Sequence, residues 1–399
     1  MTWVGWLVTG LAIALATVAL VLVVRTRRAL RGHGLDPNPS AAGPGTEGTV
    51  ATGDTDAAHV KVAFVANPTK PGVPALRDAA VQACAARYLP EPLWFDTTAE
   101  DPGIGQTRQA LEQGAQLVVA IGGDGTVRAV AEGLAGTGTA MGLLPQGTGN
   151  LLARNLDLPI GDVDALLRIA LTGQERPVDV GWLTIVRDES QVQDVVAEAD
   201  PEAVEPTETP ADASEPARDH IFLVMAGLGF DAAVMGDTNE DLKARVGWVA
   251  YVLSGLRHLG GRRMRLDLRL DDGPWRSVRL RSLLFGNVGR LPGGITLIPD
   301  AEVDDGVLHV GEIDARAGVL GWARVAGDVT LQRFGIRPRV DHGALGRIEH
   351  TDAREVRVRT REPQPVQVDG DTIGEALELH ARIQPNALVI RLPLEDGDS

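Results

Sequence analysis

Two glycine-rich stretches carry the residues of this 399-residue chain whose types and spacing could do chemistry. The first, Gly122-Gly123-Asp124-Gly125-Thr126, ends the apolar run 116–121 and leads into a helical pattern reaching about residue 134. The second, Pro145-Gln146-Gly147-Thr148-Gly149-Asn150, follows Gly142-Leu143-Leu144 and also feeds a helical pattern. Glycine lets a backbone turn sharply and lets a phosphate approach main-chain N–H groups, while the helix behind it offers a positive N-terminal end to an anion. Two such turns at adjacent strand ends can face one nucleotide. A carboxylate amid the first would repel a polyphosphate. Asp124 therefore handles a metal, takes a proton from an attacking hydroxyl, or caps the helix. Two better-known phosphate loops are excluded by spelling: no G-x-x-x-x-G-K-[ST] occurs, and Gly123-Asp124-Gly125-Thr126-Val127-Arg128 lacks the third glycine of a dinucleotide fingerprint.

An alternation of strand and helix positions these loops. The β-branched run 60–66 ends at the turn signal Asn67-Pro68-Thr69, a helix is expected over 73–87, a strand over 93–95, a helix over 105–114 and a doubly covered strand over 116–121. This predicts a parallel α/β sheet, whose ligands bind at the carboxyl ends of its strands. After Gly181 the apolar period becomes two. Strands are expected over 182–186, 220–225, 265–270, 278–285, 307–313, 356–359 and 387–392, with helices over 241–259 and 318–334, the pattern of an antiparallel sandwich.

Composition narrows the function. A net charge of -16 argues against a surface built to neutralise nucleic-acid phosphates, and 4% aromatic residues leave few platforms for stacking bases. The single cysteine, Cys84, cannot form an intrachain bridge, and the eight histidines show no zinc-binding spacing. A basic cluster, Arg257, His258, Arg262, Arg263 and Arg265, stands out in this acidic chain, meeting anionic headgroups, forming a solvated face or pairing with nearby carboxylates.

In order and spacing, Asn67-Pro68-Thr69, Gly122-Gly123-Asp124-Gly125-Thr126 and Pro145-Gln146-Gly147-Thr148-Gly149-Asn150 resemble the diacylglycerol kinase catalytic family of bacterial lipid kinases, related to sphingosine and ceramide kinases. Asn287 with Gly293-Gly294, Ile298-Pro299-Asp300-Ala301, Asp304-Asp305-Gly306-Val307-Leu308 and Val368-Asp369-Gly370-Asp371 extend the likeness over about residues 60–395. The resemblance implies ATP along the strand ends, with Asn67, Pro68, Thr69, Thr97, Gly122, Gly123, Asp124, Gly125, Thr126 and Thr148 near its phosphates, beside Gly147, Gly149 and Asn150 of the second turn. It also implies that the hydroxyl-activating acid, usually the Glu of Asp-Gly-Glu, falls at Asp371. That side chain is shorter by about 1.5 Å, so Asp124 is kept beside it as a candidate. A structural Mg²⁺ maps onto Asp305 with main-chain groups of Glu302 and Val307, or the same Asp-Asp-Gly is a plain hairpin turn. Leu151 departs from a common Asp.

Residues 3–24 hold no charge, and 22 helical residues span about 33 Å, enough for a hydrocarbon core of about 30 Å. Arg25, Arg27, Arg28 and Arg31 follow, which argues for an uncleaved anchor with the remaining chain in the cytoplasm over a signal peptide, whose basic residues precede its apolar run. The expected organisation is thus a transmembrane helix (1–24), a linker (25–59), an α/β ATP-binding domain (60–180) and a β-rich lipid-binding domain (181–395). An acidic insertion at 187–218 reads as a solvated loop or a regulatory tail. The expected activity is transfer of the γ-phosphate of ATP to a lipid hydroxyl at the inner membrane face, with Mg²⁺ as cofactor and no nucleic-acid partner. A homodimer is compatible with the sequence. The alternatives are a kinase resembling NAD or sugar kinases, and a nucleotide or lipid sensor without turnover.

Overall fold

The computed structural model of this chain describes residues 60–187, 218–229, 263–291, 295–296, 298, 301–314 and 347–394. The expected linker, most of the acidic insertion, the helices at 241–259 and 318–334, and residues Arg257, His258, Arg262, Gly293, Gly294, Pro299 and Asp300 lie outside them.

The first half alternates as its apolar pattern requires: β1 (Val62–Ala66), α1 (Val73–Ala85), β2 (Leu93–Asp96), α2 (Ile104–Glu112), β3 (Leu117–Gly122), α3 (Asp124–Leu134), β4 (Ala140–Pro145), α4 (Leu151–Asn155) and α5 (Val163–Thr172). Every residue of β1, β3 and β4 is buried, as expected for parallel strands covered on both faces. The strand order is β4-β3-β1-β2, all parallel, and Gly122 stands opposite Pro145 at the shared carboxyl edge. Both glycine stretches therefore leave the sheet side by side.

The second half is antiparallel: β5 (Gln174–Arg187), β6 (Asp219–Phe222), β7 (Met225–Leu228), β8 (Met264–Leu270), β9 (Arg276–Leu280), β10 (Ser282–Gly286), β11 (Arg290–Leu291), β12 (Ile295–Thr296), β13 (Leu308–Asp314), β14 (Arg347–Ala353), β15 (Glu355–Val368) and β16 (Asp371–Leu392). These strands enclose a second core of residues such as Phe222, Leu268, Phe285, Val310 and Val358. Two runs expected as single strands are split. Residues 220–225 divide into β6 and β7 because the amides of Leu223 and Val224 turn toward the Asp369 carboxylate. Residues 278–285 divide at Arg281, so that β9 pairs with β8 while β10 pairs with β7 and β13.

The terminal strand corrects a third expectation. Instead of ending within the sandwich, β16 runs on into the first sheet, where Val389 and Ile390 pair in parallel with Ala140 and Met141 of β4. Its register against β5 slips between Gln384 and Leu388, with Asn386 at φ 52°. Asp179 of β5, 1% exposed, pins this bend: its carboxylate accepts the amides of Asn386 (2.8 Å) and Gly306 (2.6 Å).

Among the described residues no helix is long and apolar enough to cross a membrane. The longest, α1, has 13 residues, about 20 Å of rise against the roughly 30 Å required. The span expected over residues 3–24 lies outside the described residues. The fold class is corrected accordingly, to an α/β half joined to a β-sandwich half without a supported transmembrane helix, and the single-pass inner-membrane placement loses its structural basis.

Removing the Asp179 carboxylate strands two buried amides. Asp179→Ala is expected to lower the unfolding free energy by about 3 kcal/mol in urea titration; a loss under about 0.5 kcal/mol would show that the pin is dispensable.

Candidate active site

The two glycine loops touch through their backbones. Gln146 donates its amide to the Gly122 carbonyl (2.7 Å), and a Cβ on Gly147 would fall 2.8 Å from the Cα of Gly123. Asn150, buried and in the left-handed region at φ 49°, folds over the second loop. Its Oδ1 accepts the Gly147 amide (2.9 Å) while its Nδ2 donates to the Gly147 carbonyl (2.8 Å). Asp124 crosses between the loops: Oδ2 accepts the amide of Asn150 (2.9 Å) and Oδ1 that of Leu151 (2.6 Å), donors that the start of α4 would otherwise leave unpaired. A Cβ on Gly149 would lie 2.6 Å from that carboxylate. Burial raises the Asp124 pKa above its ordinary value, the amides of Leu151 and Asn150 oppose the shift, and the charge of Asp371 adds to it. Gly125 and the buried Thr126 continue the first loop, and Thr148 is exposed at the crest of the second.

The turn after β1 joins them. Asn67 donates its amide to the Ile121 carbonyl (2.9 Å), and its Oδ1 accepts the amide (3.0 Å) and hydroxyl (2.7 Å) of Thr69, leaving Pro68 and Thr69 exposed. The buried Thr97 follows β2 and donates its amide to the Ala66 carbonyl. Lys70 was missed in sequence. Its Cε lies 3.9 Å from where a Cβ on Gly123 would stand, bringing a cation to the first loop.

Asp371 arrives from the far end of the chain. Asp369 (φ 47°) and Gly370 (φ 91°) form the two-residue turn between β15 and β16, a conformation that suits Asp-Gly. Asp369 is buried, its carboxylate accepting the amides of Leu223, Val224 and Met225. Burial raises its pKa, with those amides and Arg128 opposing. Asp371, by contrast, is 59% exposed in its side chain and takes a 2.7 Å ion pair from Arg128 Nη2, whose Nη1 donates to the Val368 carbonyl (2.8 Å). Gly125 lies beside it: a Cβ there would stand 3.8 Å from Asp371 Oδ2, an ordinary van der Waals contact. Arg128 also escaped the sequence reading. It stands four residues after Asp124, one helical turn along α3, but nothing in the sequence pairs it with a residue 243 positions away.

The Asp305 loop is a separate cluster. No hydrogen bond or ion pair among the described residues links it to the glycine loops. Asp305 Oδ2 accepts the Glu302 amide and faces His309 Nε2 (3.0 Å each), and Oδ1 accepts the Val307 amide (2.9 Å). His309 is buried between Asp305 and Asp352, and Asp304 pairs with Arg176. Among the described residues no group of three or more acidic, histidine or cysteine side chains could cage a metal. The second lone pair of Asp305 Oδ1 suits instead a hard cation that keeps most of its waters and takes main-chain oxygens.

Comparison with known proteins bears on this geometry. Residues 61–183 match the diacylglycerol kinase catalytic domain, and residues 224–392 match the YegS C-terminal NAD kinase beta sandwich-like domain. The chain is 31% identical over 291 residues to the probable lipid kinase YegS-like of Pseudomonas aeruginosa PAO1, covering 71% of this chain and 79% of that protein. The chain belongs to the diacylglycerol kinase catalytic-domain family. It is 29% identical to the protein of the same name in Pseudomonas putida, over 71% and 80% of the two chains. Against that of Cronobacter sakazakii it is 31% identical, over 51% of this chain and 58% of the relative. A solved diacylglycerol kinase from Bacillus anthracis str. Sterne shares the fold, with a TM-score of 0.59 over 83% of this chain and 96% of that one at 20% identity. Family membership makes the chain a lipid kinase, a phosphotransferase with an alcohol acceptor.

Burial of Asp124 ties the stability of this kinase to pH. Above the ordinary aspartate value of about 3.9 and below the raised native value, the folded chain keeps a proton that the unfolded chain has released. Unfolding free energy therefore falls as pH rises through that window. Asp124→Asn has no such proton, and its urea midpoints between about pH 4 and 7 are expected to fall less steeply than those of the wild type; parallel curves would contradict the assignment.

Proposed function

We propose that this kinase transfers the γ-phosphate of ATP to the hydroxyl of a lipid of the diacylglycerol type, with Asp371 accepting the hydroxyl proton. The supporting observation is convergence: Arg128 holds an exposed carboxylate from the sandwich half against the first glycine loop of the α/β half. The proposed division places ATP binding in residues 60–180 and lipid binding in 181–395.

In this reading the amides of Gly122, Gly123, Gly125 and Gly149 receive the phosphates, with Asn67, Pro68, Thr69, Thr97, Thr126, Gly147, Thr148 and Asn150 shaping the same edge and Lys70 adding charge. Asp124 holds the two loops together, since both its oxygens already accept amides. Asp371 is the open carboxylate. It meets the hydroxyl as the alcohol oxygen attacks the γ-phosphorus and the bond to ADP breaks, and the proton passes to its carboxylate. Catalysis of this kind is mostly positioning, and the Arg128 bracket fixes where the carboxylate stands. Asp305, with main-chain groups of Glu302 and Val307, would hold a Mg²⁺. When bound, that ion offers positive charge to the loop.

Asp371→Asn is expected to lower kcat about 10³-fold while leaving the KM for ATP within about threefold, and Asp371→Glu to keep measurable turnover, read in a steady-state kinase assay. Substrate class is tested by offering γ-labelled ATP together with lipid extract, NAD or sugar phosphates. Label should enter the organic phase, where mass spectrometry identifies the lipid. Incorporation only into a water-soluble product would overturn the proposal.

A further inference from the structure

The outer surface of the sandwich half carries a row of arginines that the kinase reaction does not use. Along β8 alternate residues are buried (Met264, Leu266, Leu268), so Arg265, Asp267 and Arg269 face outward. Arg265 stands directly opposite Arg279 of β9. On its other side Leu266 is opposite Thr360 of β15, and Arg361 comes next along that strand. Arg361 falls in the stretch where the register of β15 against β16 shifts, between Arg359 and Gln364. Three arginines thus meet across three adjacent strands. They line a cavity of about 470 Å³ together with Arg263, Glu362 and Gln364.

The rows beside this one are charge-balanced. One row along, Asp267 bonds Ser277, and Arg359 bonds Glu378 while lying over the Trp275 ring. In the row after that, Arg357 pairs with Glu355 and Arg269 with Asp272. Arg265, Arg279 and Arg361 are all exposed, and none of their guanidinium groups has an ion pair or hydrogen bond among the described residues. Like charges directly opposite on paired strands destabilise a sheet. Such an arrangement is at odds with the surplus of acidic residues in a chain of net charge -16, which could have balanced it as the neighbouring rows are balanced.

We propose that this cavity is an accessory anion site that takes a phosphate group, either free or as the headgroup of an anionic lipid. Guanidinium forks match the geometry of phosphate oxygens and remain charged at every physiological pH. The cavity has room for a headgroup-sized ligand. A bound phosphate would turn the repulsion between Arg265 and Arg279 into shared attraction. The site shares no residue with the glycine loops or Asp371, so it stands or falls apart from the reading of the catalytic centre.

The test uses the purified full chain and Arg265→Gln, with Arg279→Gln as a second variant. Thermal unfolding is followed in inorganic phosphate and in chloride at equal ionic strength. At a phosphate concentration ten times its Kd the wild-type Tm should rise by about 3 °C, and the variants should lose that rise. In chloride the variants should melt at or above the wild type, because one like-charge contact is gone. Flotation with phosphatidylcholine vesicles, with and without phosphatidic acid, separates the two sources. Recovery of the wild type, but not the variants, on the acidic vesicles assigns the site to a lipid headgroup. A phosphate shift without vesicle recovery assigns it to the free anion. Equal phosphate shifts and equal vesicle recovery in wild type and variants would overturn the proposal.

Discussion

The carboxylate of Asp124, bonded to the first two amides of the second loop's helix, makes one surface of two glycine turns that are separate in sequence. Neither contact would survive a side chain between the loops, since a Cβ on Gly147 or Gly149 would collide with the backbone of Gly123 or with Asp124 itself. Glycine is thus required here for close approach. The helix that follows the first turn, α3, starts at the carboxyl edge of the parallel sheet, while the first amides of α4 are already taken by Asp124.

Buried acids perform the same task elsewhere. Asp179 collects the amides of Gly306 and Asn386 where β16 bends from one sheet into the other, and Asp369 collects three amides under the hairpin that carries Asp371. A desolvated carboxylate is costly unless its oxygens are met by donors, and irregular backbone is costly unless its amides find acceptors. Each of these acids answers both needs at once. Asp371 differs from these three: its side chain is exposed and pairs with Arg128 instead of with backbone amides.

Because β16 belongs to both sheets, the two halves do not meet merely as neighbouring surfaces. The strand starts at Asp371, beside the first glycine loop, and ends in parallel pairing with β4, the strand that delivers the second. Asn155 of α4 adds a further tie, exchanging hydrogen bonds with both backbone groups of Arg290. Rearrangement between the halves would have to break main-chain pairing, so relative motion is restrained by the same bonds that place the acid.

Local pattern alone determined the alternation of strand and helix through the first 95 or so folded residues and the glycine turns at the strand ends, because each depends on neighbours within a few positions, whereas the helix Val163–Thr172 and the start of β5 at Gln174 were not read from it. The Asp-Gly turn that bears Asp371 was readable for the same reason. The splitting of 220–225 and 278–285 was not, since apolar residues stand on both sides of each break and long-range partners, Asp369 and the β13 edge, decide where the strand stops. Nor was the passage of β16 into the first sheet, because a strand's pattern records which faces are buried and not which strand lies beside it. Only the tertiary structure separated Asp124, Asp179 and Asp369, which hold backbone, from Asp371, which stays exposed, and only it paired Arg128 with Asp371. A carboxylate's role is set by the donors and solvent around it, and those came from residues far away in the chain.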